Sequence, residues 1–364
     1  MIRIDDDLSC KEKTLLTLLG ENPDTPTETL MEATGYHHQS TLSKKKRELI
    51  ENGYLKGPYY YINVNAVGEN ELYDVYADIE FDASDYDFVF SLIRSIGCFR
   101  WIYPVIQNDR FLVYFQCNYF TQIAQLLNHL KKEGIINYTL YSSQYRWITR
   151  NPDFFGKEIL TYDNLFSECE LPDMHYPPRE LKKTWRWLDI RMMAYLQVKS
   201  LDLESFRKCE KEFYNLSWKR SQIKYTIRKL IEHKIAEKKH YNVSPYPRDR
   251  CFSFVLFVRT KSPSATLQVM ENLGKDSRVY KTYTLAGKTG IILCWANVRN
   301  IPLFLSFFDE TEEISLKVYQ LKAHDTRYIL KDSFSMENFD LENQRWIFPF
   351  HEYEKNIECL LEKR

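Results

Sequence analysis

The strongest constraint in this chain is that it repeats itself. Arg47-Glu48-Leu49-Ile50-Glu51 recurs as Arg228-Lys229-Leu230-Ile231-Glu232 in the second half of the sequence. The strand-like run Val75-Tyr76-Ala77-Asp78-Ile79-Glu80 has its counterpart in Val255-Leu256-Phe257-Val258. Arg110 to Asn118 pairs with Thr289 to Asn297, and Ile136 to Leu140 with Ile314 to Val318, all at nearly the same offset. Identity is low, but the order and spacing of elements persist along the whole chain. A period of about half the chain is far longer than a solenoid repeat and predicts one two-domain unit present twice. The length of 364 residues agrees, since single cores stop growing near about 250–300 residues.

Each copy opens with three helical patterns. In the first, Leu15, Leu16, Leu18 and Leu19 mark one helix. Thr25-Pro26-Thr27-Glu28 reads as a capping box opening a second that stops at Gly35. A third runs from about His38 to Asn52, with Leu42, Leu49 and Ile50 on one face and Gly53 as its terminator. Tyr54 to Val64 then alternates around Gly57-Pro58, which reads as a turn between two strands. In the second copy the helices are expected over Trp185–Lys199, Leu203–Tyr214, and from a Ser217 cap through Ile223, Ile227, Leu230 and Ile231, with a wing over Ile235–Val243. Three helices and a hairpin predict a winged helix-turn-helix.

The second half of each copy reads βαββαβ. In the first, Leu72–Phe81, Phe99–Ile106, Phe111–Asn118 and Ile136–Trp147 are strands, with helices over Ser84–Ile96 and Thr121–Glu133. In the second, strands fall at Cys251–Thr260, Val279–Leu285, Gly290–Asn297 and Ser315–Leu321, and helices at Ser264–Leu273 and roughly Ile301–Phe308. This order predicts the split-βαβ, ferredoxin-like sheet with helices on one face. The fold class is therefore α+β, with two winged helix-turn-helix domains and two ferredoxin-like domains pairing as an intrachain pseudo-dimer. The expected boundaries are 1–66, 67–148, 184–248 and 249–323. Segments 149–183 and 324–364 are Pro- and aromatic-containing straps expected to dock on the sheets, the last ending in a helix over His351–Lys363.

Composition enters through charge. The 50 basic and 50 acidic side chains cancel, which on average argues against a polyanionic partner. Divided along the chain, they do not. Residues 1–66 carry a net −2, 67–180 a net −8, 181–248 a net +10, and 249–364 a net 0. The second winged helix is a basic island, the footprint of nucleic-acid binding. The third helices supply the candidate DNA contacts: His38, Gln39, Ser40, Thr41, Lys44, Lys45 and Arg47 in the first, and Lys219, Arg220, Gln222, Lys224, Tyr225 and Arg228 in the second, where Lys229 is also expected on the solvent face. Lys238 and Lys239 would add wing contacts. Arg, Gln and Ser/Thr suit base edges and Lys suits phosphate. The second module is expected to supply most of the affinity. Lys46 stands where the second copy has Ile227, an apolar slot that a lysine stem can snorkel across.

A winged helix followed by βαββαβ, with the Arg-x-Leu-Ile-Glu end of the third helix in both copies, resembles the Lrp/AsnC family of transcription regulators. The resemblance implies a sequence-specific regulator that binds double-stranded DNA, oligomerises through its effector domains and responds to a small molecule held near the turn between the second and third strands. Here those turns, Gln107-Asn108-Asp109-Arg110 and Gly287-Lys288-Thr289-Gly290, depart from the family's Gly-x-x-Asp-like pattern. Trp101, Tyr103, Asp109, Tyr283, Lys288 and Trp295 are the candidate ligand-pocket residues.

No catalytic constellation, cofactor or metal site is expected. Ala286-Gly287-Lys288-Thr289 lacks the first glycine of a phosphate loop and sits between strands, and His37-His38 has no Cys or His partner at zinc spacing. Paired Lrp-like chains also occur as sirohaem decarboxylases, an alternative that would ask for arginine and histidine between the sheets. A protein-interaction scaffold is the other alternative. The acidic Met1–Asp7 start, strand-sized apolar runs and eight scattered cysteines point to a soluble cytoplasmic protein.

Overall fold

The computed structural model describes residues 8–142, 145–147, 161–171, 184–198, 203–244, 251–273, 282–297, 307–308, 311–322 and 336–364. They form two compact bodies, and each draws on both halves of the sequence. The first body combines residues 1–59, 146–173 and 238–318, and the second combines 60–145, 174–237 and 319–364.

In the first body, α1 (Cys10–Glu21), α2 (Thr27–Thr34) and α3 (Gln39–Glu51) form the helical trio. Ser9 caps α1 in a reciprocal box with Glu12. The box expected at Thr25–Glu28 is not formed: Pro26 is the N-cap and the Thr25 hydroxyl donates instead to the Asn22 carbonyl at 2.6 Å. Gly35 ends α2 in the left-handed conformation. The core joins Leu15, Leu16 and Leu19 of α1, Leu30 of α2, and Leu42 and Leu49 of α3 to Tyr241 and Val243.

Those last two residues belong to β7 (Ala236–Val243), and they change the expected wing. No hairpin forms at Gly57-Pro58. Strand β1 (Leu55–Ile62) is unbroken and pairs with β7 in a two-stranded sheet. Gly57 serves a close backbone approach, with a φ of +117° and the His240 carbonyl oxygen only 3.1 Å from where a Cβ would stand. In the second body the exchange is reciprocal. Helices α7 (Trp187–Val198), α8 (Leu203–Tyr214) and α9 (Arg220–Glu232) share a core with Ile62 and Val64, and the Asn63 N–H donates to the Ile235 carbonyl at 2.9 Å. Each trio is thus completed by residues that follow the other trio in sequence. An alternating apolar run is satisfied equally by a strand from far along the chain, so alternation alone did not distinguish hairpin from exchange.

The second body's sheet has the order β3-β4-β2-β5, from β2 (Tyr73–Phe81), β3 (Phe99–Pro104), β4 (Arg110–Cys117) and β5 (Ile136–Ser142). Helices α4 (Tyr86–Ser95) and α5 (Phe120–Lys132) bury Val89, Leu92, Ile93, Ile123, Leu127 and Leu130 against Val75, Ile79, Phe111, Val113 and Phe115. The first body contains most of a five-stranded sheet, β11-β8-β10-β9-β6. Its strands are β6 (Tyr145–Trp147), β8 (Cys251–Arg259), β9 (Thr282–Ala286), β10 (Thr289–Asn297) and β11 (Ser315–Gln320), and α10 (Pro263–Leu273) packs on them. Both sheets show the split-βαβ order. The strand expected over 136–147 divides in two, with β6 an edge of the five-stranded sheet. The helix expected over 301–308 lies outside the described residues except for Phe307 and Phe308.

Both helical layers are covered. Residues 161–171, with α6 (Tyr162–Leu165), dock on α10: the Asn272 amide donates to the Leu165 and Ser167 carbonyls at 2.9 and 2.8 Å, and Leu165 is fully buried. The C-terminal helix α11 (Phe350–Leu361) sets Tyr353 and Ile357 into the core beneath α4, and Arg364 closes it with a 3.0 Å ion pair to Asp85. Upstream, the Trp346 indole fills the space that a Cβ on Gly68 would need, at 2.7 Å.

Candidate nucleic-acid interface

In the second body, α9 is held from below and left bare outside. Ile223, Thr226 and Leu230 are buried, and Ile227 is half-buried. The helix begins at Arg220, two residues later than a Ser217 cap would place it, because the Gln222 side chain accepts the Lys219 N–H at 2.9 Å. Gln222 is exposed but engaged as a cap. Lys229 turns inward: its ammonium meets the buried Asp189 carboxylate at 2.6 Å and lies over the Trp185 ring. Lys219, Arg220, Lys224, Tyr225 and Arg228 remain exposed, Tyr225 by 58%. Arg228 makes an exposed 3.5 Å pair with Glu232 one turn on and lies beside the Tyr225 ring.

A charged clamp joins α7 to α8. Arg191 of α7 and Glu210 of α8 form a bidentate pair with side chains only 4% and 1% exposed. The Trp218 indole N–H donates to Glu210 at 3.1 Å, and the Arg191 guanidinium stacks 3.5 Å over the Tyr214 ring. Trp218 immediately precedes the α9 cap, so the clamp fixes the turn entering α9. Sequence reasoning missed the pair because Arg191 and Glu210 look like ordinary surface residues on two separate helices.

In the first body, α3 exposes His38, Gln39, Ser40, Thr41, Lys44 and Arg47. Lys45 is held by Glu48 at 2.8 Å and Glu12 at 3.3 Å. Its ammonium is held more firmly protonated by hydrogen bonds to Glu48 and then Glu12. Burial opposes ionisation of Glu12, but hydrogen bonds from Ser9 and Lys45 outweigh it and lower that carboxyl. Lys46 lies over the Tyr241 ring at 4.9 Å, which accounts for a lysine at a position where α9 carries the half-buried Ile227. Lys239 is engaged by Asp24, and of Lys238 only the backbone is described, in β7. Ile50 and Ile231, expected inward, are 42% and 43% exposed, since the next residue after buried Leu49 or Leu230 is rotated about 100° away.

The candidate ligand residues fall in both bodies. In the second, Trp101 and Tyr103 are half-buried and 4.5 Å apart on the sheet face opposite α4 and α5, with Trp101 against Tyr76 and Tyr114. Asp109 lies in the β3–β4 turn, where its carbonyl accepts the Phe81 N–H. This face also carries groups the sequence reading overlooked. Arg110 bridges Asp78 at 2.6 Å and Glu80 at 3.0 Å, and Tyr114 donates to Asp74 at 2.6 Å. Burial, then the Asp78 charge, pushes the Tyr319 phenol up to about 12. The alternation Asp74, Tyr76, Asp78, Glu80 was the available signal. In the first body Lys288 is exposed in the β9–β10 turn, and the side chains of Tyr283 and Trp295 lie outside the described residues.

Among the described residues no group of His, Cys, Asp and Glu could hold a metal ion, and no helix is long and apolar enough to cross a membrane. A scan against protein-family models and a search of curated proteins each find no match. Among solved structures, the chain is similar to the siroheme decarboxylase NirDL at 11% identity, over 97% of this chain and 99% of that one, with a TM-score of 0.47. The same enzyme in complex with an iron-uroporphyrin III analogue gives 0.48 at the same identity and coverage. E. coli AsnC is similar over 37% of this chain and 91% of its own, at 16% identity and a TM-score of 0.30.

Proposed function

We propose that this chain is a DNA-binding transcription regulator, two copies of one unit in a single polypeptide, whose α9 module provides most of the affinity for duplex DNA. The observation that carries this reading is the outward row Lys219, Arg220, Lys224 and Arg228 on a helix whose inner face and entry turn are both fixed. A helix of this length fits the major groove, and each phosphate-neutralising cation adds roughly one unit to the salt dependence of binding. The α3 module, with Lys44 and Arg47 outward, contributes less.

The tetrapyrrole-enzyme alternative asks for arginine and histidine on the sheet face. Strands β2–β5 contain no histidine, Arg110 is engaged by Asp78 and Glu80, and Arg100 donates to Gln197 at 3.0 Å. The DNA reading is the one the geometry favours.

The test is an electrophoretic mobility shift on genomic fragments over a series of salt concentrations. Arg220→Ala with Lys224→Ala is expected to flatten the salt slope by about 2 and weaken binding on all sequences. An unchanged slope, or a wild-type protein that shifts no fragment at low salt, overturns the proposal.

A further inference from the structure

A groove of about 660 Å³ opens on the flank of α9 in the second body. Trp187, Trp218 and Tyr225 form its aromatic border, and the Asp189–Lys229 pair lies in its wall. Its volume is that of a small-molecule site, and its lining combines ring faces with a few polar groups, as such sites do. The charges indicate the sign of the occupant. Asp189 already accepts the Lys229 ammonium at 2.6 Å and the Arg186 backbone N–H at 2.9 Å, so its charge is compensated inside the wall. The exposed Arg186 guanidinium is then the net charge facing the groove. The exposed Ser221 hydroxyl adds a donor.

We propose that this groove binds a small aromatic carboxylic acid, with its ring against the indoles and its carboxylate on Arg186 and Ser221. Ring stacking and a charge-assisted hydrogen bond are the two contacts the lining offers. The site differs from the candidate pocket on the sheet. Tyr225 belongs both to this groove and to the exposed face of α9, so an occupant would alter the surface that α9 presents.

The experiment uses the full chain without DNA, so its outcome is independent of the DNA reading. Indole-3-carboxylate is titrated against the intrinsic fluorescence and the amide NMR signals, with tryptamine as the cationic control. Saturable binding below about 1 mM, with shifts at Trp187, Trp218 and Tyr225, is expected. Arg186→Gln is expected to weaken binding about tenfold, and Thr184→Trp, at an exposed lining position, to abolish it with circular dichroism unchanged. No saturation up to about 10 mM, tryptamine binding as well as the acid, or a Thr184→Trp protein that still binds would each overturn the proposal.

Discussion

Helices α3 and α9 each follow two helices of a buried trio and treat their lysines and arginines in opposite ways. In α3 the run Lys44-Lys45-Lys46-Arg47 looks like a basic cluster, but Lys45 closes onto Glu12 and Glu48 and Lys46 covers Tyr241. In α9 only Lys229 is drawn inward, and the basic residues before it stay exposed. The buried Arg191–Glu210 pair ties α7 to α8 ahead of α9, whereas the half-exposed Lys45 of α3 itself reaches Glu12 of α1. Local charge density is thus a poor guide to free charge. What matters is which cations the scaffold itself requires.

The largest expected difference lies in those anchors. Glu210→Ala leaves the Arg191 guanidinium buried without its carboxylate, and we expect a loss of about 3–5 kcal/mol in urea unfolding. Lys45→Ala breaks a half-exposed pair and should cost less than about 1 kcal/mol. Equal losses would show that the two modules are anchored alike. The next effect concerns the aromatic platform. Tyr241→Ala, in the core of the α3 trio, should cost about 3 kcal/mol, whereas Lys46→Ile, which introduces the residue type α9 has in Ile227, should stay within about 1 kcal/mol of wild type. A severe Lys46→Ile defect would mean that the ammonium itself is needed there.

The smallest effect is a pH dependence on the α3 side. Glu12 is held below its ordinary value of 4.5 in the folded protein. Its contribution is therefore fully present above that value and is lost as pH falls through the folded-state value. Thermal melts from about pH 6 to pH 3 should show a steeper decline for wild type than for Glu12→Gln, by under about 1 kcal/mol. Parallel curves would remove Glu12 from the account of the first module.

Most elements were legible because they rest on local chemistry. Leu15, Leu16 and Leu19, or Ile223 and Leu230, can be buried only by turning helical faces inward, and Gly35 and Gly53 mark helix ends through their positive φ. The βαββαβ order followed from strand-length alternation between helical periods. The wing was not legible. Gly57-Pro58 has turn composition, yet it lies inside an unbroken strand whose partner, β7, comes from the far half of the chain. For the candidate site, the third helices could be located and their outward residues named. The fates of Lys45, Gln222, Lys229 and Lys239 could not, since each depends on a partner distant in sequence or on a cap the helix chooses for itself.

The sequence by itself determined the element inventory, the recurrence of similar segments in its two halves and the concentration of positive charge between positions 181 and 248, because periodicity and composition are local properties of a chain. Tertiary structure decided which strand completes each helical trio, which cations stay exposed, and that the Arg191–Glu210 pair joining α7 to α8 is buried. Burial and ion pairing are set by what a distant segment brings within a few ångströms, and no local pattern encodes that.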